Sequence, residues 1–161
     1  MTSRRLLTLS GAAAALALAL AHAAEHLAGL RPCPLCLLQR WPYWLAIGVT
    51  AVGLLAPARF GGIAVVAAAA LFLGNAGLAA FHAGVEWGLW PSAVPACAPA
   101  GLGTARTVED LLLSLPPVAA VPCDEPALRV FGLSMAGWNA LYALAVAALL
   151  TMSLLRRGRE G

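Results

Sequence analysis

Four apolar stretches of this chain are marked by the absence of formal charge: Leu6 to Ala24, Trp41 to Ala56, Gly61 to Phe81 and Val130 to Leu155. A helix rises about 1.5 Å per residue and a hydrocarbon core is about 30 Å thick, so about 20 residues cross it. The third and fourth stretches are long enough outright. The second becomes so if it starts near Leu35, which draws Gln39 and Arg40 into its outer turn. The first is long enough but alanine-rich. Only 11% of the 161 residues are charged and 61% are hydrophobic, against roughly 25% charged in an ordinary soluble domain. The pattern predicts an all-α membrane protein: one domain over 1–161, a four-transmembrane-helix bundle with spans at roughly 6–26, 35–56, 61–81 and 130–155. Loops at roughly 27–34 and 82–129 share one side. The partners are then the lipid bilayer and whatever reaches those loops, and no feature points to nucleic acid.

Orientation follows from arginine, because the chain has no lysine. Arg4, Arg5, Arg59, Arg156, Arg157 and Arg159 fall on one side of the four-span arrangement and Arg31, Arg40, Arg106 and Arg129 on the other. The positive-inside rule makes the first side, with both termini, cytoplasmic. The five tryptophans, Trp41, Trp44, Trp87, Trp90 and Trp138, lie near the outer ends of spans, where amphipathic rings prefer the interface. The first stretch also has the look of a secretory signal, with Arg4 and Arg5, an apolar core and "AHAAE". Retaining it gives an even span count and is the expectation adopted.

All four cysteines, Cys33, Cys36, Cys97 and Cys123, fall in the two outer segments. An even number confined to the oxidising face reads as disulfide chemistry. A four-cysteine zinc site is disfavoured because the second pair lies far outside ligand spacing. A c-type haem needs histidine after Cys36, and residue 37 is leucine. A bond across Cys33-x-x-Cys36 closes almost no loop and would staple little, whereas one between Cys97 and Cys123 would be worth roughly 3.5 kcal/mol in the chain-entropy description. If a helix begins near Pro34, Cys36 sits in its first turn, where the dipole favours a thiolate, with Arg40 one turn on along the same face. A guanidinium at the edge of the apolar zone costs free energy and so suggests a purpose: stabilising the Cys36 thiolate and an electron acceptor. His22, Glu25 and His26 share a helix face at the water edge, where such residues are solvated, and no metal site is expected. Asn75 and Asn139 read as polar glue between helices, with Gly74 and Gly77 allowing close approach. In the long loop, Thr107 and Asp110 open a short leucine-rich helix, Leu111 to Leu115, expected on the membrane surface.

Taken together, "EHLAGLRPCPLCLLQRWPYW", "FHAGVEWGLWP", the separated Cys97, and "PCDEPALRVFGLSMAGWNAL" with Cys123 resemble the disulfide bond formation protein B (DsbB) family over nearly the whole chain. The resemblance implies a protein-dithiol:quinone oxidoreductase of the bacterial inner membrane, with its cysteines on the periplasmic side. Cys33 and Cys36 would exchange electrons with ubiquinone or menaquinone from the membrane pool, Cys36 beside the quinone. Arg40 would bind the quinone, and His82 corresponds approximately to a histidine near it. Cys97 and Cys123 would form the loop disulfide that meets a soluble thioredoxin-like partner of the DsbA type, Cys97 being the sulfur attacked. Two alternatives stand beside this reading. A vitamin K epoxide reductase-like enzyme also combines loop cysteines, a CxxC and a quinone, but with the CxxC after the loop pair. A non-enzymatic membrane protein with two structural disulfides would need no quinone. The sequence leaves Glu86 without a role.

Overall fold

The computed structural model describes residues 2–94, 97 and 121–160. Helix α1 (Ser3–His26) is capped by Thr2, whose hydroxyl accepts the Arg5 N–H at 3.4 Å. The chain turns away through Gly29, whose φ of +66° belongs to the left-handed region that glycine tolerates. It then enters α2 (Pro34–Leu38), with Cys33 as cap and Pro34 at the first helical position. Helix α3 (Arg40–Leu55) follows after a break at Gln39. Pro42 explains the break: it has no N–H for the Leu38 carbonyl, and its ring crowds that oxygen. The span expected over 35–56 is therefore two helical pieces in succession. Pro57 ends α3, holding the preceding Ala56 extended at φ −71°, ψ 158°.

A 3₁₀ turn (Ala58–Phe60) leads into α4 (Gly61–Glu86). This helix runs past Phe81, where the sequence pattern placed the span's end. Its true stop is Gly88, at φ +70°: the Gly88 N–H bonds Val85 O at 3.0 Å and the Leu89 N–H bonds Gly84 O at 2.9 Å, the paired closure of a Schellman motif. His82 therefore lies inside a helix rather than at the start of a loop. At the far end, Val130 does not open the last helix. Arg129–Val130 (β1) and Leu133–Ser134 (β2) pair antiparallel around Phe131 and Gly132, both at positive φ, as a two-residue hairpin turn demands. Helix α5 (Met135–Glu160) begins after it, Ser134 Oγ accepting the Gly137 N–H at 3.1 Å. Trp138 Nε1 ties hairpin to helix by donating to Val130 O at 3.0 Å. The short helix expected between Thr107 and Leu115 lies outside the described residues.

The helices form a bundle in which α4 packs against α5 and α3, and α1 against α3 and α4. Leu6, Leu7, Phe72, Ala143 and Leu150 are at its centre. Between helices in a bilayer there is little hydrophobic gain, so close van der Waals packing and interhelical hydrogen bonds hold them. Gly11, Gly53 and Gly61 allow close approach between helices, and Gly74 and Gly77 do not. A Cβ on Gly53 would lie 2.6 Å from the Ala64 Cβ, whereas one on Gly74 or Gly77 would meet nothing within 4 Å. Ser10 Oγ and Thr50 Oγ1 lie 3.1 Å apart between α1 and α3, and Tyr142 OH donates to Ala13 O at 2.8 Å. Leucines such as Leu16, Leu20, Leu73 and Leu155 point outward and are exposed, as a lipid-facing surface requires.

Among the described residues, three helices are long and apolar enough to cross a membrane: Ser3–His26, Ala58–Glu86 and Met135–Arg159. Helix α3 has 16 residues and on its own reaches only about 24 Å. Arg157 Nη1 donates to Ser3 Oγ at 2.6 Å, so the two ends of the described chain meet at one end of the bundle. The cysteines occupy the other.

Candidate functional site

Cys33 and Cys36 owe their geometry to the start of α2. As the cap, Cys33 turns its sulfur back over the first turn, where it accepts the Cys36 N–H at 3.3 Å. The two sulfurs are 2.9 Å apart, and both residues are free thiols here. Sharing the Cys36 thiol proton, then the contacts with His82 and the Cys36 N–H, hold the Cys33 thiol well below its ordinary value against the opposing effect of burial. Reading the first turn from sequence puts the favoured thiolate on Cys36. In the structure the sulfur that receives the helix N–H is Cys33, because the residue at the cap, not the one inside the turn, can aim its side chain at the free amides.

His82 is 1% exposed, and its Nε2 lies 3.5 Å from Cys33 Sγ, although 49 residues separate the two in sequence. A hydrogen-bonded chain behind the imidazole fixes which nitrogen bears the proton. Tyr43 OH donates to Asn139 Oδ1, and Asn139 Nδ2 donates to Gln39 Oε1 at 2.6 Å. That leaves the Gln39 amide N–H to donate to His82 Nδ1 at 2.7 Å. With Nδ1 accepting, the proton sits on Nε2 and faces the sulfur. Residues of α3, α4 and α5 thus converge on one imidazole.

Two carboxylates complete the polar shell. Glu25 Oε2 lies 2.7 Å from Arg40 Nη1, tying α1 to α3. Arg40 is thereby held at the site, but among the described residues it makes no hydrogen bond to either sulfur. Glu86 Oε1 is 3.8 Å from His82 Nε2, its side chain is only 4% exposed, and its Oε2 has no partner. Cys97 is bonded to Cys123, and both pack with Cys33 and Val85 in one buried cluster.

In front of the thiols is a cavity of about 350 Å³. Ala17, Leu18 and Ala21 of α1 supply apolar walls, while Cys36, Arg40 and His82 stand among its polar lining. Apolar walls with a few convergent polar groups are the usual form of a small-molecule site.

Comparison with known proteins shows the family. The family model described as "Disulfide bond formation protein DsbB" matches residues 3–153. The chain belongs to the DsbB family. A "Disulfide bond formation protein B" of Marinobacter nauticus is similar at 35% identity, the match covering 98% of this chain and 95% of the relative. One of Aromatoleum aromaticum is similar at 31% identity, covering 85% and 82%. An "Uncharacterized protein RP370" of Rickettsia prowazekii is 28% identical over 78% of this chain and 73% of its own. No solved structure matches at a comparable level. As a DsbB-family chain with apolar spanning helices, it is a multi-pass membrane oxidoreductase of disulfide bond formation.

Of the residues singled out from sequence, Cys33, Cys36, Arg40 and His82 line the same cavity, and the Cys97–Cys123 disulfide is buried behind Cys33. Gln39, Tyr43, Asn139 and Glu86 line it as well, and the sequence assigns none of them a role at this site. Two have a helical signature in retrospect. Gln39 follows Cys36 by three positions and Glu86 follows His82 by four, both same-face offsets.

Proposed function

We propose that this DsbB-family chain oxidises a periplasmic thioredoxin-like dithiol protein of the DsbA type and passes the electrons through its two cysteine pairs to a membrane quinone, ubiquinone or menaquinone. The observation that carries the reading is the packing of both pairs into one buried cluster at the wall of an apolar cavity. The partner thiolate attacks Cys97, forming a mixed disulfide and releasing Cys123 as a thiolate. The partner's second thiolate then resolves the mixed disulfide, so the partner leaves oxidised and the loop pair reduced. Cys123 next attacks Cys33 of an oxidised Cys33–Cys36 pair, releasing Cys36 as a thiolate. Cys97 closes on Cys123, which leaves the loop oxidised and Cys33 and Cys36 reduced. Every exchange conserves sulfur–sulfur bonds, and two electrons move inward per partner.

The cavity residues suit a quinone. Arg40 has guanidinium N–H groups beyond the one facing Glu25 for a carbonyl oxygen, and the α1 wall suits a ring and an apolar tail. A bound quinone would supply a two-electron, two-proton sink. His82 Nε2 exchanges a proton with Cys33, and Glu86 beside it is placed to hold one. In the membrane, α1, α2 with α3, α4 and α5 would make four spans, with both termini cytoplasmic and the cysteine end periplasmic. The arginine bias and the Ser3–Arg157 contact support that placement.

The test is Cys97→Ser. It should abolish oxidation of the protein partner while a small dithiol still drives quinone reduction through Cys33 and Cys36. Normal partner oxidation by this variant would refute the division between the two pairs.

A further inference from the structure

The redox pair has neighbours that electron transfer alone does not use. The sulfurs of Cys33 and Cys36 and a ring nitrogen of His82 all lie within 4.8 Å of one another. Beside them Glu86 is buried, with Oε1 3.8 Å from His82 Nε2 and Oε2 unpartnered. A buried carboxylate oxygen without a donor is costly, and a proton or a cation relieves it. Two thiolates, one imidazole and one carboxylate are a donor set that tetrahedral zinc takes.

We propose that the reduced Cys33–Cys36 pair, with His82 and Glu86, forms a binding site for a thiophilic divalent cation of the zinc class, and that the site exists only while the pair is reduced. Binding is not a redox step. Both sulfurs bind as thiolates, any proton still held on sulfur leaves to solvent, two sulfur–zinc bonds form, and no electron moves. Once the sulfurs are bonded to each other neither is a thiolate, so the donor set falls apart. Zinc occupancy and oxidation of the pair exclude one another, and the cation acts as a brake on the reduced state.

The geometry says what must shift. Two Zn–S bonds of about 2.3 Å place tetrahedral sulfurs roughly 3.8 Å apart. The observed 2.9 Å therefore has to open by a turn of Cys36, the less buried of the two, toward the cavity it lines, and the Glu86 carboxylate, which is outside the 4.8 Å group, has to swing in beside His82. The metal takes His82 Nε2, so the ring proton moves to Nδ1 and the chain behind it reverses as a whole: Gln39 Oε1 accepts from Nδ1, the Gln39 amide N–H donates to Asn139 Oδ1, and the Asn139 amide N–H donates to the Tyr43 hydroxyl oxygen. A ligand histidine whose other nitrogen is held by a second group is the usual arrangement in zinc sites. Spacing in the sequence conceals all this, since the third and fourth donors come from α4. The proposal requires only that the pair can be reduced, so it stands apart from the electron route above.

The experiment uses the full-length chain in detergent with Cys97→Ser and Cys123→Ser, so that Cys33 and Cys36 are its only thiols. Zinc binding is measured by equilibrium dialysis on the reduced and oxidised forms, cobalt is used as a coloured substitute, and alkylation of the thiols is followed with and without zinc. The reduced form should take up about one more zinc than the oxidised form, show sulfur-to-cobalt charge-transfer absorption, and have both thiols protected. His82→Phe should weaken redox-dependent binding at least about tenfold, the lower end of what even an outer-shell partner costs. Glu86→Gln should weaken it less. His22→Ala with His26→Ala removes the second cluster among the described residues whose donor atoms lie within 4.8 Å, on α1, and should leave the redox-dependent part intact. Equal uptake by both redox forms, or uptake lost with the α1 histidines while the thiols stay open to alkylation, would overturn the proposal. If His82→Phe does not fold, the redox comparison and Glu86→Gln decide it.

Discussion

The two ends of the bundle treat polar groups in opposite ways. Toward the end where Ser3 meets Arg157, the buried polar groups are few and locally settled: Ser10 bonds Leu7 O and Thr50, and Thr50 bonds Leu7 O. Such bonds fasten neighbouring helices and nothing more. At the cysteine end, Tyr43, Asn139, Gln39 and His82 form a chain that joins α3, α5 and α4, Arg40 pairs with Glu25, and one oxygen of Glu86 is left without a partner. Polar and ionisable groups inside a membrane bundle are costly, and here they are concentrated at the end that carries the cysteines and the cavity. The first end is built for packing; the second keeps donors, acceptors and a cavity available.

If this contrast is right, substitutions at the two ends have separable effects. The largest expected change is in thiol reactivity at the cysteine end. Cys33 is held well below the ordinary thiol value near 8.5, so in the reduced protein its alkylation should continue as pH falls well under that figure. A lowered thiol value means the thiolate persists to lower pH, and losing the group that favours it moves the profile up. His82→Phe removes a hydrogen bond to a charged sulfur, worth about 1.5–3 kcal/mol. The alkylation midpoint should therefore rise by about one to two pH units, and an unmoved profile would mean that His82 does not serve Cys33.

Next in size is Arg40→Ala, which should raise the quinone KM roughly tenfold, the effect of about 1.4 kcal/mol. Partner oxidation at Cys97 should survive for a single round, and Lys should rescue only in part, since it lacks the planar fork. Steady-state kinetics with varied quinone would show it, and an unchanged KM would reduce Arg40 to a structural partner of Glu25.

The smallest expected effect on chemistry belongs to the opposite end. Gly53→Ala sets a methyl group 2.6 Å from the Ala64 Cβ, and overpacking of this kind costs about 1–3 kcal/mol. Denaturant titration in detergent should show the loss, with quinone KM and the alkylation profile unaltered. A change in either would show that the two ends are coupled.

Much of this architecture was legible in the chain. Absence of charge located the helices, because a bilayer tolerates little else, and Cys-x-x-Cys with Arg40 marked the start of the second. The helix break at Gln39 was announced by Pro42, a signal masked by the apolar run around it. The hairpin at Arg129–Ser134 hid within what read as a span, since Val130, Phe131 and Leu133 are as apolar as the helix that follows. The partnership of His82 with Cys33 was out of reach, because a contact across 49 residues depends on how α4 packs and leaves no local pattern. The choice between Cys33 and Cys36 as thiolate turned on cap geometry, which a sequence suggests only to within a residue or two.

The central claim, that electrons pass from a dithiol protein through both cysteine pairs to a quinone, is tested most directly by stoichiometry. Purified protein in detergent is mixed anaerobically with a reduced thioredoxin-fold protein and a quinone, and quinol is followed by absorbance while the partner's thiols are counted. The account predicts about one quinol for each partner dithiol oxidised, and no quinol when Cys36 is replaced by serine. Partner oxidation without quinol, or quinol formed at an undiminished rate by Cys36→Ser, would contradict it.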